Sequence, residues 1–196
     1  MRFTKMHGLG NDYVYVNCFE EKVAEPAKTA IAVSDRHRGI GADGMILIMP
    51  SNVADVKMRM FNADGSEAQM CGNGIRCVAK YSYDHNLIKG KKTSITVETG
   101  RGVLTLGLEI NKNDKVENVC VNMGQPILEP AKIPVTLDGE HIIETAIDVR
   151  NQRMLMTCVS MGNPHAVFFT DDLSSIDIEK IGPVIEHHEL FPQRVN

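Results

Sequence analysis

Phe61-Asn62-Ala63-Asp64-Gly65-Ser66-Glu67-Ala68-Gln69-Met70-Cys71-Gly72-Asn73-Gly74-Ile75-Arg76-Cys77 is the stretch on which the reading of this chain turns. Asn62 to Ser66 is turn chemistry, with Asp64-Gly65 its clearest mark, whereas Ile75 to Tyr83 lacks Gly and Pro and is apolar on several sides. A helix apolar nearly all round is a buried one. Cys71, Gly72 and Asn73 therefore fall where that helix begins, among backbone N–H groups without partners inside the helix and at the positive end of its dipole. Such a terminus binds anions and favours thiolate over thiol. On this reading Cys71 is a reactive thiol beside an anion cradle built from Gly72, Asn73 and Gly74. The structural alternative is a buried packing cysteine followed by a glycine-rich loop.

Four stretches, met in order along the chain, resemble one family. Asn62 to Glu67 with Cys71-Gly72-Asn73-Gly74 resembles the first catalytic signature of the diaminopimelate epimerases. Lys5-Met6-His7-Gly8-Leu9-Gly10-Asn11-Asp12, Ser160-Met161-Gly162-Asn163-Pro164-His165 and Phe191-Pro192-Gln193-Arg194-Val195-Asn196 agree with it. The resemblance implies cofactor-independent inversion of an amino-acid α-carbon by two cysteines, interconverting LL- and meso-diaminopimelate on the route to lysine and peptidoglycan. It makes Cys71 one of the two cysteines and Asn11, Asn62, Asn163 and Asn196 substrate contacts, and it places His165 near the second cysteine. It also implies a homodimer. Some members of the family carry glutamine where this chain has Gly44, which puts that substrate contact in question here.

The chemistry fits the residues. Inversion needs one group to remove a weakly acidic C–H proton and a second to return a proton on the opposite face, and a thiol serves either role. Charge left on the carbanion spreads into the α-carboxylate, where N–H donors from Gly72 and Asn73 would stabilise it. No lysine motif points to pyridoxal phosphate, and no cofactor is expected.

Composition agrees. A chain of 196 residues with 43% hydrophobic content can bury a sizeable core as one large domain or two small ones. A formal charge of −4 without a dense basic run leaves no footprint for a nucleic-acid partner or an anionic membrane surface. No segment approaches the apolar length of a membrane span and the N-terminus has no secretory signal, so a cytoplasmic protein is expected. Five cysteines at scattered positions predict reduced thiols, and the Cys71–Cys77 spacing does not suit a structural zinc site, so no metal is expected. Cys18 and Cys77 read as packing residues, and His187 and His188 as solvated helix-end residues.

Alternation predicts strands at Met1–His7, Asp12–Cys18 and Asp55–Phe61; Met45–Met49 reads as another strand, Thr93–Thr99 with Gly102–Ile110 as a hairpin, and Val119–Met123, His141–Val149 and Gln152–Met161 as further strands. Pro26–Arg36 reads as a surface helix; Asp177–His187 reads as another, interrupted or shifted at Gly182-Pro183. The order Gly10-Asn11, strand, helix returns as Gly162-Asn163, strand, helix, which points to a duplicated lobe. Sixty residues separate Asn11 from Cys71, so a counterpart of Cys71 is expected beyond Asn196, and the chain reads as the front portion of a longer enzyme. In the family the second cysteine and a neighbouring glutamate lie beyond the Arg194-Val195-Asn196 match.

The expected fold is α+β: two pseudo-symmetric lobes, each a mostly antiparallel barrel-like sheet around a central helix, the second incomplete. The first lobe is residues 1–117 and the partial second 118–196. Three alternatives remain: a proline-racemase relative of the same fold, a cysteine hydrolase using Cys71 with His165, and a non-catalytic ligand-binding fragment.

Overall fold

The computed structural model describes residues 1–90, 92–150 and 152–196, which divide into two compact units, Met1–Met123 and Gly124–Asn196. The first unit opens with a hairpin of strands β1 (Thr4–Gly8) and β2 (Asn11–Asn17), closed by the pair Gly8–Asn11. Its two turn residues, Leu9 and Gly10, both have positive φ (56° and 89°), as the tightest hairpin turns require. There follow helix α1 (Pro26–Ser34), strands β3 (Gly44–Met49), β4 (Val56–Asn62) and β5 (Glu67–Ala68), helix α2 (Gly72–Asp84), and strands β6 (Ser94–Thr99), β7 (Gly102–Ile110) and β8 (Val116–Val121).

These strands make one sheet in the order β1-β2-β3-β4-β6-β7-β8, with β5 paired to β4. The β2–β3 and β4–β6 pairs are parallel and the others antiparallel. A parallel pair needs a crossover connection, and each has a helix inside it, α1 in the first and α2 in the second. The two helices lie on opposite faces, and strand alternation decides which side chains meet which. Val14, Val16, Met45, Leu47 and Phe61 pack with Ala30 of α1. Tyr13, Tyr15, Ile46, Ile48, Met58 and Met60 pack with Ile75, Cys77, Val78 and Ala79 of α2. Because the sheet curls, α2 touches strands from β1 round to β8. Ile75 and Val78 are fully buried, each contributing roughly 1.5–3 kcal/mol.

The charged segment Asn111–Lys115 is the turn of the β7–β8 hairpin, closed by the Asn111 and Lys115 backbone and by Asp114 at φ 59°. Strand β8 accordingly starts at Val116, earlier than the alternation suggests.

The second unit is an antiparallel three-stranded sheet, β9 (Thr145–Val149), β10 (Gln152–Ser160) and β11 (Pro164–Phe168), followed by α3 (Ile178–Glu186). Ile133, Ile147, Met156, Cys158, Ile185 and Phe191 form its core. Strand β9 is shorter than the sequence suggests because Glu144 takes a left-handed φ of 46°. Helix α3 runs unbroken through Pro183. Gly182 explains this, since the clash of a proline ring with the preceding residue is mild when that residue has no Cβ. The unit repeats the hairpin–strand–helix order of β1, β2 and α1, but with a turn one residue longer. Ser160 pairs with Pro164, leaving Asn163 in the turn, whereas Asn11 begins its strand.

The start of β2 is fixed by ions. Asp12, only 15% exposed, is 2.9 Å from Lys5 and 2.8 Å from Arg36, which also reaches Asp43 at 2.9 Å. The Arg36 hydrogen bond, opposed by desolvation and aided by Lys5, holds the Asp12 carboxyl well below its usual range. A depressed folded-state pKa gives stability that is complete above the unfolded carboxylate value near about pH 4 and is lost as pH falls below it. With Lys5 and Arg36 about half exposed and therefore screened, Asp12→Asn should cost about 1 kcal/mol in urea unfolding at neutral pH. The difference should shrink below about pH 4; a difference that does not shrink there would assign the cost to something other than these ion pairs.

Candidate active site

Cys71 occupies the N-cap of α2 in extended conformation (φ −135°, ψ 119°). Its carbonyl accepts the Ile75 N–H at 2.9 Å, and its sulfur accepts the Gly74 N–H at 3.3 Å. A cysteine thus stands where a hydroxyl or carboxamide oxygen usually caps a helix. The backbone N–H groups of Gly72 and Asn73 have no hydrogen-bond partner among the described residues.

The β1–β2 hairpin supplies the other side of the sulfur. The Asn11 amide nitrogen lies 3.7 Å from Cys71 Sγ, and its Oδ1 is buried without a partner. Close approach of β1 to α2 depends on Gly8, where a Cβ would lie 3.0 Å from the Asn73 carbonyl oxygen and 3.3 Å from the Arg76 guanidinium. Arg76 donates to Asn73 Oδ1 at 2.7 Å, so that side chain is tied into the helix and the residue offers its backbone N–H outward. Asn62 sits at the end of β4, where its Nδ2 donates to Ser66 Oγ at 2.9 Å and its backbone N–H to the Ser66 carbonyl.

Asn11, Cys71, Gly72 and Asn73 are therefore brought together, and Asn62 caps the turn that leads into them. Asn163, His165 and Asn196 form their own group in the second unit. His165 Nε2 is 3.1 Å from Asn163 Oδ1, and Asn196 donates from backbone and side chain to the Pro164 carbonyl, both at 3.1 Å.

The remaining cysteines differ from Cys71. Burial pushes the Cys77 thiol up, a rise that Tyr15 partly offsets, and burial pushes Cys158 up to about 11. Cys18 is half-buried and its thiol is raised by the same cause, while Cys120 is exposed on β8. Among the described residues no group of three His, Cys, Asp or Glu side chains could hold a metal ion. A cavity of about 420 Å³ lies at the far end of α2, lined by Tyr83, Asp84, Ile88 and Asn113 among others, away from the thiol.

Two features were not evident as functional from sequence. At Gly44 a Cβ would lie 2.1 Å from the Phe61 carbonyl oxygen and 2.8 Å from the Tyr13 ring, so no side chain fits there on this backbone. Tyr13 itself, on the face of β2 that carries Asn11, is buried in the core cluster against which Cys71 packs. Only its spacing of two from Asn11 could have signalled this.

Comparison with known proteins places this geometry. The family model described as diaminopimelate epimerase matches residues 3–129. The diaminopimelate epimerase of Agathobacter rectalis is 57% identical, the alignment covering 100% of this chain and 70% of the relative. That of Acetivibrio thermocellus is 55% identical, covering 100% and 69%. The crystal structure of a probable proline racemase from Agrobacterium radiobacter superposes with a TM-score of 0.58 at 16% identity, covering 94% of this chain and 54% of that one. The chain thus spans about 70% of the relatives' length and about half of the solved structure's. At 16% identity the crystal structure shows the fold alone, two lobes of the α+β type. Identity above one half across every residue of the chain, with a family match that takes in both the Asn11 hairpin and the Cys71 helix, says more: the chain belongs to the diaminopimelate epimerase family.

Proposed function

We propose that Cys71 is the acid–base group on one face of the α-carbon of diaminopimelate, inverted between its LL and meso forms without a cofactor. The observation that carries the proposal is a thiol capping a helix whose next two N–H groups are unpartnered. A substrate α-carboxylate received by the Gly72 and Asn73 N–H groups sets the α-carbon beside the sulfur. The Cys71 thiolate takes the α-proton and becomes a thiol. The electron pair left on carbon spreads into the carboxylate, where the two N–H donors and the helix dipole stabilise it. A second acid on the opposite face delivers a proton to complete inversion, and in the reverse direction the roles exchange. The orphaned Asn11 Oδ1 suits a donor such as the substrate ammonium group.

Asn62, Asn163 and Asn196 are proposed as further substrate contacts, with amides that both donate and accept. His165, held by Asn163, is proposed to lie beside the second acid–base group. The protein is proposed to act as a homodimer in the cytoplasm. All five cysteines are free, the state a reducing compartment maintains, and no helix of the described residues is long and apolar enough to cross a membrane.

Incorporation of solvent deuterium at the α-carbon of LL-diaminopimelate, followed by NMR, tests the assignment, with proline as control substrate. Cys71→Ala should reduce the enzyme's exchange more than about a hundredfold, whereas Cys77→Ala should retain most of it; equal losses would overturn the choice of Cys71. Iodoacetamide should modify Cys71 and the exposed Cys120 in the folded chain well before Cys77 and Cys158, whose burial keeps them protonated. Early labelling of Cys77 would contradict its place in the core.

A further inference from the structure

The chain leaving β8 passes the start of α2. Val119 and Val121 pack on the core cluster that holds α2, whereas Cys120 and Asn122 are exposed. The alternation runs one step past the strand, because the Asn122 N–H still donates to the Thr105 carbonyl of β7 at 3.4 Å. Met123 therefore falls on the same side as Val121. It is half-buried, yet it belongs to none of the packed clusters of the described residues. Its thioether rests instead against Gly72. A Cβ built on Gly72 would lie 3.7 Å from both Sδ and Cε of Met123. Covalent geometry then puts the thioether within about 6 Å of the Gly72 nitrogen. A helical Cα–Cβ bond leans toward the N-terminus, the direction in which the unpartnered Gly72 and Asn73 N–H groups point. Met123 thus borders those groups on the side from which a ligand arrives.

We propose that Met123 is a positioning residue for the reaction: its thioether roofs the helix start and keeps water off the Gly72 and Asn73 N–H groups that receive the substrate carboxylate. This inference rests on the seating of that carboxylate at the terminus of α2. A thioether offers only a weakly accepting sulfur, so it competes little with the carboxylate for the N–H donors. With water displaced, the attraction between the carboxylate and the helix terminus strengthens and is screened less by salt. The gain grows as the α-proton leaves, since charge then moves into the carboxylate. An unbranched, adaptable side chain suits a wall that must fit both the glycine and an incoming ligand.

Met123→Gln keeps the length of the side chain and makes it polar; Met123→Leu keeps it apolar. Neither change enters a packed cluster, so both variants should fold with the urea midpoint of wild type. Diaminopimelate affinity, read from NMR titration, should weaken roughly three- to tenfold in Met123→Gln, and added salt should weaken it more steeply than in wild type. Met123→Leu should restore most of the loss. In turnover kcat/KM should follow the same order. Wild-type affinity and salt dependence in Met123→Gln, or equal losses in both variants, would overturn the proposal. A second readout needs no ligand: exchange of the Gly72 and Asn73 amide protons with water should speed up several-fold in Met123→Gln and stay near the wild-type rate in Met123→Leu. Unchanged exchange would equally overturn the roof. Faster exchange, with no movement of the Gly72 and Asn73 amides when diaminopimelate is added to wild type, would uphold the roof and reject the carboxylate seat; the reverse pattern would do the opposite.

Discussion

The hydrogen bond from the Gly74 N–H to the Cys71 sulfur is the interaction around which the site is arranged. A helix start must satisfy its first N–H groups from outside. Here the thiol takes one of them, and the Gly72 and Asn73 N–H groups have no partner among the described residues. That division works only because α2 cannot shift: Ile75 and Val78, immediately behind the cap, are fully buried against the curled sheet. Core packing thus fixes the sulfur, and the sulfur fixes which N–H groups stay open.

The same economy appears in the β1–β2 hairpin. Gly8 admits the first turn of α2, and Asn11 reaches the sulfur from the first position of β2. Asp12, next in the chain, points to the other face and is held by Lys5 and Arg36. Adjacent residues therefore meet the Cys71 helix and the Lys5–Arg36 ion cluster on opposite faces of one strand, a direct result of its alternation.

Much of this was legible in the sequence. Period-two alternation marked β2 and β4, and the same pattern assigned Val14 and Val16 to one side and Tyr13 and Tyr15 to the other, as the two packed clusters show. The run from Ile75 announced a buried helix and set Cys71 at its start. What stayed hidden depended on contacts between distant segments. Strand β5 has two residues and exists only by pairing with β4. The early start of β8 follows from its ladder with β7, and the early end of β9 from one left-handed residue, Glu144. Tyr13 reads as a core aromatic because its ring is one; only the fold brings its cluster against a cysteine far along the chain. Gly44 reads as an ordinary turn glycine, and the need for it comes from the Phe61 carbonyl and the Tyr13 ring, neither of which is local.

Amide NMR of the folded chain titrated with diaminopimelate tests the cradle at the helix start most directly. The expected result is a large shift of the Gly72 and Asn73 N–H signals together, with a smaller shift at Gly74, whose N–H is already held by the sulfur. Saturable binding that moves other amides and leaves Gly72 and Asn73 unchanged would contradict a carboxylate seated on this terminus, and with it the placement of the α-carbon beside Cys71.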